Sequence, residues 1–95
     1  MSVTRIDDFR AIAGRGEELR ESLAELLPAR RARDGCLSIR LLEHETDPAH
    51  YTVVEVWSDR ASHEAAAAEM PPAARRRIMT LLAEMPTGGY YRERD

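Results

Sequence analysis

The chain has 95 residues, 14 basic and 17 acidic, for a formal charge of −3. That length makes one domain, and a domain so short buries only about two-thirds of its unfolded surface when it folds alone. The balanced charge, with no isolated basic arm, gives no case for nucleic acid, and no stretch is apolar enough for a membrane span. Cys36 is the sole cysteine, so no internal disulfide can form. With no opening apolar run of signal-peptide length, a cytoplasmic protein is expected.

Val3–Ile12 reads as a first strand. Ile6, Phe9 and Ile12 are apolar, but Asp7-Asp8 interrupts the alternation, as at a sheet edge or a bulge. Gly14-Arg15-Gly16 is a turn. Glu17–Arg33 follows as a helix with Leu19, Leu23, Leu26 and Leu27 on one stripe. Acidic residues open this helix and Arg30, Arg31 and Arg33 close it, as its dipole favours. Pro28 should kink or divide it, and Gly35 ends the segment.

Cys36–His44 is a second strand, with Leu37, Ile39 and Leu41 on one face and Arg40 among those on the other. The polar loop Glu45–Ala49 leads into a third strand, Tyr51–Trp57. There Tyr51, Val53, Glu55 and Trp57 share a face, while Thr52, Val54 and Val56 share the other. Both faces are mostly apolar, so cover is expected on both sides.

Ser58-Asp59 offers an N-cap to a helix over Asp59–Met70, and Pro71-Pro72 separates it from another helix. In the latter, Ile78, Leu81, Leu82 and Met85 form the expected buried stripe. Pro86 stops the helix, Gly88-Gly89 turns the chain, and Tyr90–Glu93 is a short last strand.

The order β-α-β-β-α-β predicts an α+β, ferredoxin-like fold, one antiparallel sheet with helices on a single face. The valines on the uncovered face imply that a second copy packs there, sheet to sheet. Each buried valine gains roughly 1.5–3 kcal/mol over exposure.

Several residues are candidates for chemistry. His63 lies on a helical face with Ala66, Ala67 and Met70, and is read either as a base over the sheet or as a partly exposed histidine of the first turn. Glu55 and Trp57 point the same way. If the helices cover them, Glu55 is a buried carboxylate with a raised pKa, suited to a general base. Trp57 is then a pocket wall, and Tyr51 shares its face. Core packing of Trp57, and pairing of Glu55 with Arg40, are the structural alternatives. Tyr90 and Tyr91 lie on opposite faces, and Tyr91 is the candidate for hydrogen-bonding a substrate oxygen. The small run Ala65–Ala68 either leaves room for a pocket or packs closely on the sheet. His44 and His50 flank a polar loop with no metal-ligand spacing.

Gly14 before an amphipathic helix, Gly35-Cys36-Leu37 opening a strand, Val54-Glu55-Val56-Trp57, and Asp59-Arg60-Ala61 opening a helix together resemble the antibiotic biosynthesis monooxygenase (ABM) domain. The resemblance spans nearly the whole chain. It implies a dimeric α+β barrel with a pocket between sheet and helices in each subunit. It also implies oxidation of a small aromatic or polyketide-like substrate by O2 without metal or flavin, so no cofactor is expected. The family's usual histidine, nine residues after the strand tryptophan, is Ala66 here, and His63 one turn earlier is its possible replacement. The chain has no asparagine, which argues against the haem-degrading relatives. The alternatives are a non-catalytic ligand-binding dimer, and an isomerase or decarboxylase of a small acid that uses His63 with Arg40 as an anion clamp.

Overall fold

A computed structural model describes residues 1–95. The elements run β1 (Val3–Arg10), α1 (Gly16–Ala24), α2 (Leu27–Arg31), β2 (Cys36–Glu43), β3 (His50–Trp57), α3 (Arg60–Ala68), α4 (Pro72–Leu81) and β4 (Thr87–Tyr91). The four strands form one antiparallel sheet in the order β2-β3-β1-β4, the ferredoxin-like arrangement. The helical segments cover one face, so β3 alternates strictly. Tyr51, Val53, Glu55 and Trp57 are buried, and the residues between them are half-buried.

Local chemistry accounts for the boundaries. The expected long helix is divided at Glu25-Leu26, and Pro28 sits in the first turn of α2, where its missing N–H costs nothing. Gly35, at φ +87°, turns the chain into β2. A Cβ there would lie 2.6 Å from Ser62 Oγ, so only glycine lets the start of α3 approach. Asp59 caps α3, its carboxylate accepting from the Ser62 N–H at 2.8 Å. That bond holds the Asp59 carboxyl below its usual range. No helix is long and apolar enough to cross a membrane.

The core has two clusters. Ala11, Leu19, Leu23, Tyr51, Ile78 and Leu81 join α1 and α4 to one end of the sheet. Leu27, Ile39, Val53, Trp57 and Ala66 join α2 and α3 to the other. Each large apolar side chain so buried contributes roughly 1.5–3 kcal/mol.

Four expectations are corrected. β1 is an interior strand, paired on both sides with β3 and β4, rather than an edge. Its acidic pair instead splits between faces. Asp8 accepts from Thr52 Oγ1 at 2.6 Å and lies 2.9 Å from His50 Nε2 on the open face, while Asp7 faces the helices. Gly88 and Gly89 lie within β4 rather than forming a turn, so this strand begins and ends earlier than the tyrosines alone suggested. Met85 is 71% exposed, because α4 stops at Leu81 and Leu82 goes over to an extended bridge with Ala11. A bulge between Cys36 and Ser38 removes Leu37 from the buried alternation and leaves it exposed.

Candidate active site

The two core clusters do not merge. Between them lies a cavity of about 240 Å³ under α1, α2 and α4. Phe9, Leu23, Leu27, Val53 and Ile78 give it apolar walls, and Ala67 and Met70 reach it from the side of α3. A space of roughly 150 Å³ already holds benzene, so this one has room for a substituted ring or a two-ring molecule. Its floor is polar: Arg5, Asp7, Arg30, Glu55 and His63 converge there.

Glu55 is at the centre of that floor. Its place in β3 is fixed by parity with Val53 and Trp57, and it is 0% exposed. The Trp57 indole Nε1–H donates to Oε1 at 3.0 Å, and Arg30 Nη1 donates to Oε2 at 3.2 Å. Burial pushes the Glu55 carboxyl above its ordinary range, with the arginine and the indole pulling back against it. An isolated buried carboxylate would be far more costly, so these two donors keep it ionisable.

His63 comes from the first turn of α3 and is buried. Its Nε2 is 3.9 Å from Glu55 Oε2, and its Nδ1 is 2.6 Å from the Tyr90 hydroxyl. Trp57 stands edge-on to the imidazole at 5.9 Å between ring centroids. Burial, with Arg5 and Arg30 nearby, holds its pKa below the usual histidine value, which favours the neutral ring. Beside it Arg5 donates to Asp7 Oδ1 through Nε and Nη2 at 3.0 and 2.9 Å. The arrangement offers a carboxylate base, a neutral imidazole and two guanidinium groups at one end of an apolar space. That can abstract a proton and hold the resulting anion away from water.

Of the residues singled out in the sequence, Glu55, His63 and Met70 meet at the cavity. Ala66 does not; it packs in the core against Trp57's cluster, and Ala67 lines the space instead. Trp57 and Tyr51 are fully buried outside the cavity rather than forming its walls. Trp57 acts on the site through Glu55, while the Tyr51 hydroxyl donates to Glu43 at 3.3 Å. Arg40 is corrected. It pairs with Val54 and so lies on the open face, away from Glu55, whose cation is Arg30. Tyr91 is likewise on the open face and 55% exposed, and Tyr90 is the tyrosine that reaches the site.

Arg5, Asp7 and Arg30 also line the cavity, and the sequence alone does not single them out. The first two share parity with Phe9 in a strand, which is a signal of charge on the helix-covered face. In the sequence Arg30 reads as ordinary compensation of a helix end.

Asp7, Glu55 and His63 place possible ligand atoms within 4.8 Å of one another. Both carboxylates are already engaged by Arg5 and Arg30, so a dication would have to displace guanidinium groups to bind there.

The sequence profile described as "Antibiotic biosynthesis monooxygenase" matches residues 2–70. No curated protein matches the chain. Among solved structures, the chain is similar to the protein Rv0793 of Mycobacterium tuberculosis, at 22% identity and a TM-score of 0.86, covering 100% of this chain and 97% of that one. It is similar to PA3566 of Pseudomonas aeruginosa at 24% identity and TM-score 0.84, covering 99% and 95%. It is also similar to SnoaB, a cofactor-independent oxygenase of Streptomyces nogalater, at 20% identity and TM-score 0.83, covering 99% and 94%. At these identities the likeness is one of fold.

Proposed function

The chain belongs to the antibiotic biosynthesis monooxygenase family, and from that premise we propose that it is a cofactor-independent monooxygenase of small hydroxylated aromatic or polyketide-like substrates. The observation that carries this reading is Glu55, a fully buried carboxylate opening on an apolar cavity of about 240 Å³ beside a neutral His63.

The chemistry follows from the geometry. Glu55 takes the proton of a ring hydroxyl. Arg5 and Arg30 stabilise the oxyanion that results, and the apolar walls keep it from being hydrated. Charge delocalised to the ring carbon para to that oxygen reduces O2 by one electron. Recombination forms a C–O bond, and the peroxide so made loses water to leave a carbonyl. For a naphthol the balance is naphthol plus O2 giving naphthoquinone plus water, so the substrate supplies every electron and no external reductant is consumed.

A second copy of the chain covers the open sheet face. Ile6, Val54 and Val56 are only half-buried there in the single chain, and Leu42 is exposed. A reducing cytoplasm suits the lone Cys36, whose thiol burial holds above its usual pKa.

The test is O2 uptake with 1-naphthol and with anthrone as probes. Naphthoquinone formation that stops under nitrogen and falls on the order of 10²–10⁴-fold in Glu55→Gln supports the reading. Thermal stabilisation by naphthol without turnover would make the protein a binding dimer. Turnover of a small acid that persists without oxygen would make it an isomerase or decarboxylase.

A further inference from the structure

Tyr90 is a polar group at the site for which the proposed reaction has no direct use. It sits on β4 opposite Arg5, and its hydroxyl oxygen lies 2.6 Å from His63 Nδ1. The two rings meet edge-on, with centroids 5.3 Å apart and planes at 81°. A distance of 2.6 Å between these atoms requires one proton between them, and it can belong to the phenol or to the imidazole.

The surroundings decide which. The guanidinium carbons of Arg5 and Arg60 lie 4.7 and 4.3 Å from the Tyr90 ring centroid. Guanidinium groups only donate, so neither can accept the phenol's proton. The acceptor in reach is Nδ1. At the other end of the imidazole, Nε2 lies 3.9 Å from Glu55 Oε2, and both residues line the cavity. A lone pair at Nε2 would face the negative carboxylate, whereas an N–H there is attracted to it. Both ends of the ring favour the same arrangement, in which Tyr90 donates to Nδ1 and the ring's single proton is on Nε2.

We infer that Tyr90 is a positioning residue that fixes His63 as the Nε2–H tautomer, so that His63 offers the cavity a hydrogen-bond donor rather than a second base. The inference deepens the oxygenase reading and, for its catalytic consequence, rests on it. Glu55 and His63 then act on the same substrate oxygen in succession. Glu55 takes its proton, and His63 Nε2–H donates to the oxyanion left behind, held there without reorganisation of the ring. In the opposite tautomer, Nε2 would present a lone pair to that oxyanion and repel it.

The test is the ring ¹⁵N spectrum of the full chain at neutral pH. His63 is assigned among the three histidines by its disappearance in His63→Gln. A protonated Nε2 and unprotonated Nδ1 in the wild type are expected, with a shift toward mixed tautomers in Tyr90→Phe. In naphthol oxidation, Tyr90→Phe should lower kcat roughly tenfold, the value of one hydrogen bond, with KM unmoved. A wild-type His63 protonated on Nδ1 overturns the inference, as does a Tyr90→Phe spectrum identical to wild type, or a loss confined to KM. The wild-type spectrum decides even where the Tyr90 variant fails to fold. The expected tautomer in a protein that consumes no O2 would retire the oxygenase reading and leave the positioning role intact.

Discussion

The Trp57 indole and the Glu55 carboxylate, two positions apart on one face of β3, are joined by a hydrogen bond of 3.0 Å, and neither is exposed to solvent. The tryptophan therefore bears on the cavity through the acid it holds and through its edge-on contact with His63. Its bond favours the ionised carboxylate, against the burial that raises the Glu55 pKa. Trp57→Phe keeps the apolar bulk and removes the donor. The Glu55 pKa should rise further, so the acid limb of kcat/KM for naphthol oxidation should move to higher pH. An unmoved limb would mean that the indole does not govern the base.

Glu55 also sets a pH dependence of stability. Its carboxyl has a higher pKa folded than unfolded. The folded protein therefore holds more protons between those two values, and stability is lost as pH rises from the ordinary carboxylate range through the folded pKa. Glu55→Gln keeps an oxygen to accept from Trp57 and has no such titration. Urea midpoints of the variant minus wild type should grow between pH 4.5 and pH 8. A constant difference across that range contradicts a raised pKa.

Gly88 makes room for the Arg5–Asp7 pair. A Cβ on it would stand 1.9 Å from Asp7 Oδ1 and 2.5 Å from Arg5 Nη2. Both atoms end flexible side chains, so Gly88→Ala should fold with a melting temperature within a few degrees of wild type. The pair would be pushed from its place beside His63. A misplacement near 1 Å in a reacting site costs up to roughly a hundredfold, and a tenfold or greater loss of kcat/KM for naphthol is expected. Full activity would separate the Arg5–Asp7 pair from the chemistry.

The open face is tested by charge. Val54 lies at its middle, opposite Ile6 on one side and Arg40 on the other. Sedimentation of the wild type at micromolar concentration should give twice the 10.8 kDa chain mass. Val54→Asp sets a carboxylate beside Arg40 on each side of the contact and should weaken self-association at least tenfold, since desolvating the charge outweighs its pairing with the arginine and the valine's burial is lost. A wild type that sediments as single chains would remove the dimer.

Helix and strand order, the face shared by Tyr51, Val53, Glu55 and Trp57, and the helical face that His63 shares with Ala67 and Met70 were all legible in the sequence. Each rests on spacing along one element: period 2 in a strand, period 3.6 in a helix, and proline or glycine at the breaks. Which charges meet was decided elsewhere. Glu55 takes Arg30 from α2 rather than Arg40 from the adjoining strand, because the register sets Arg40 beside Val54 on the far face. Tyr90 replaces Tyr91 for the same reason, since its pairing with Arg5 assigns it the parity of the site. The cavity itself belongs to no single segment: it exists because side chains from α1, α2 and α4 fill two clusters and leave the space between them. Register between strands and the gap between packed layers are pairwise properties of distant segments, and periodicity within one segment carries no information about them.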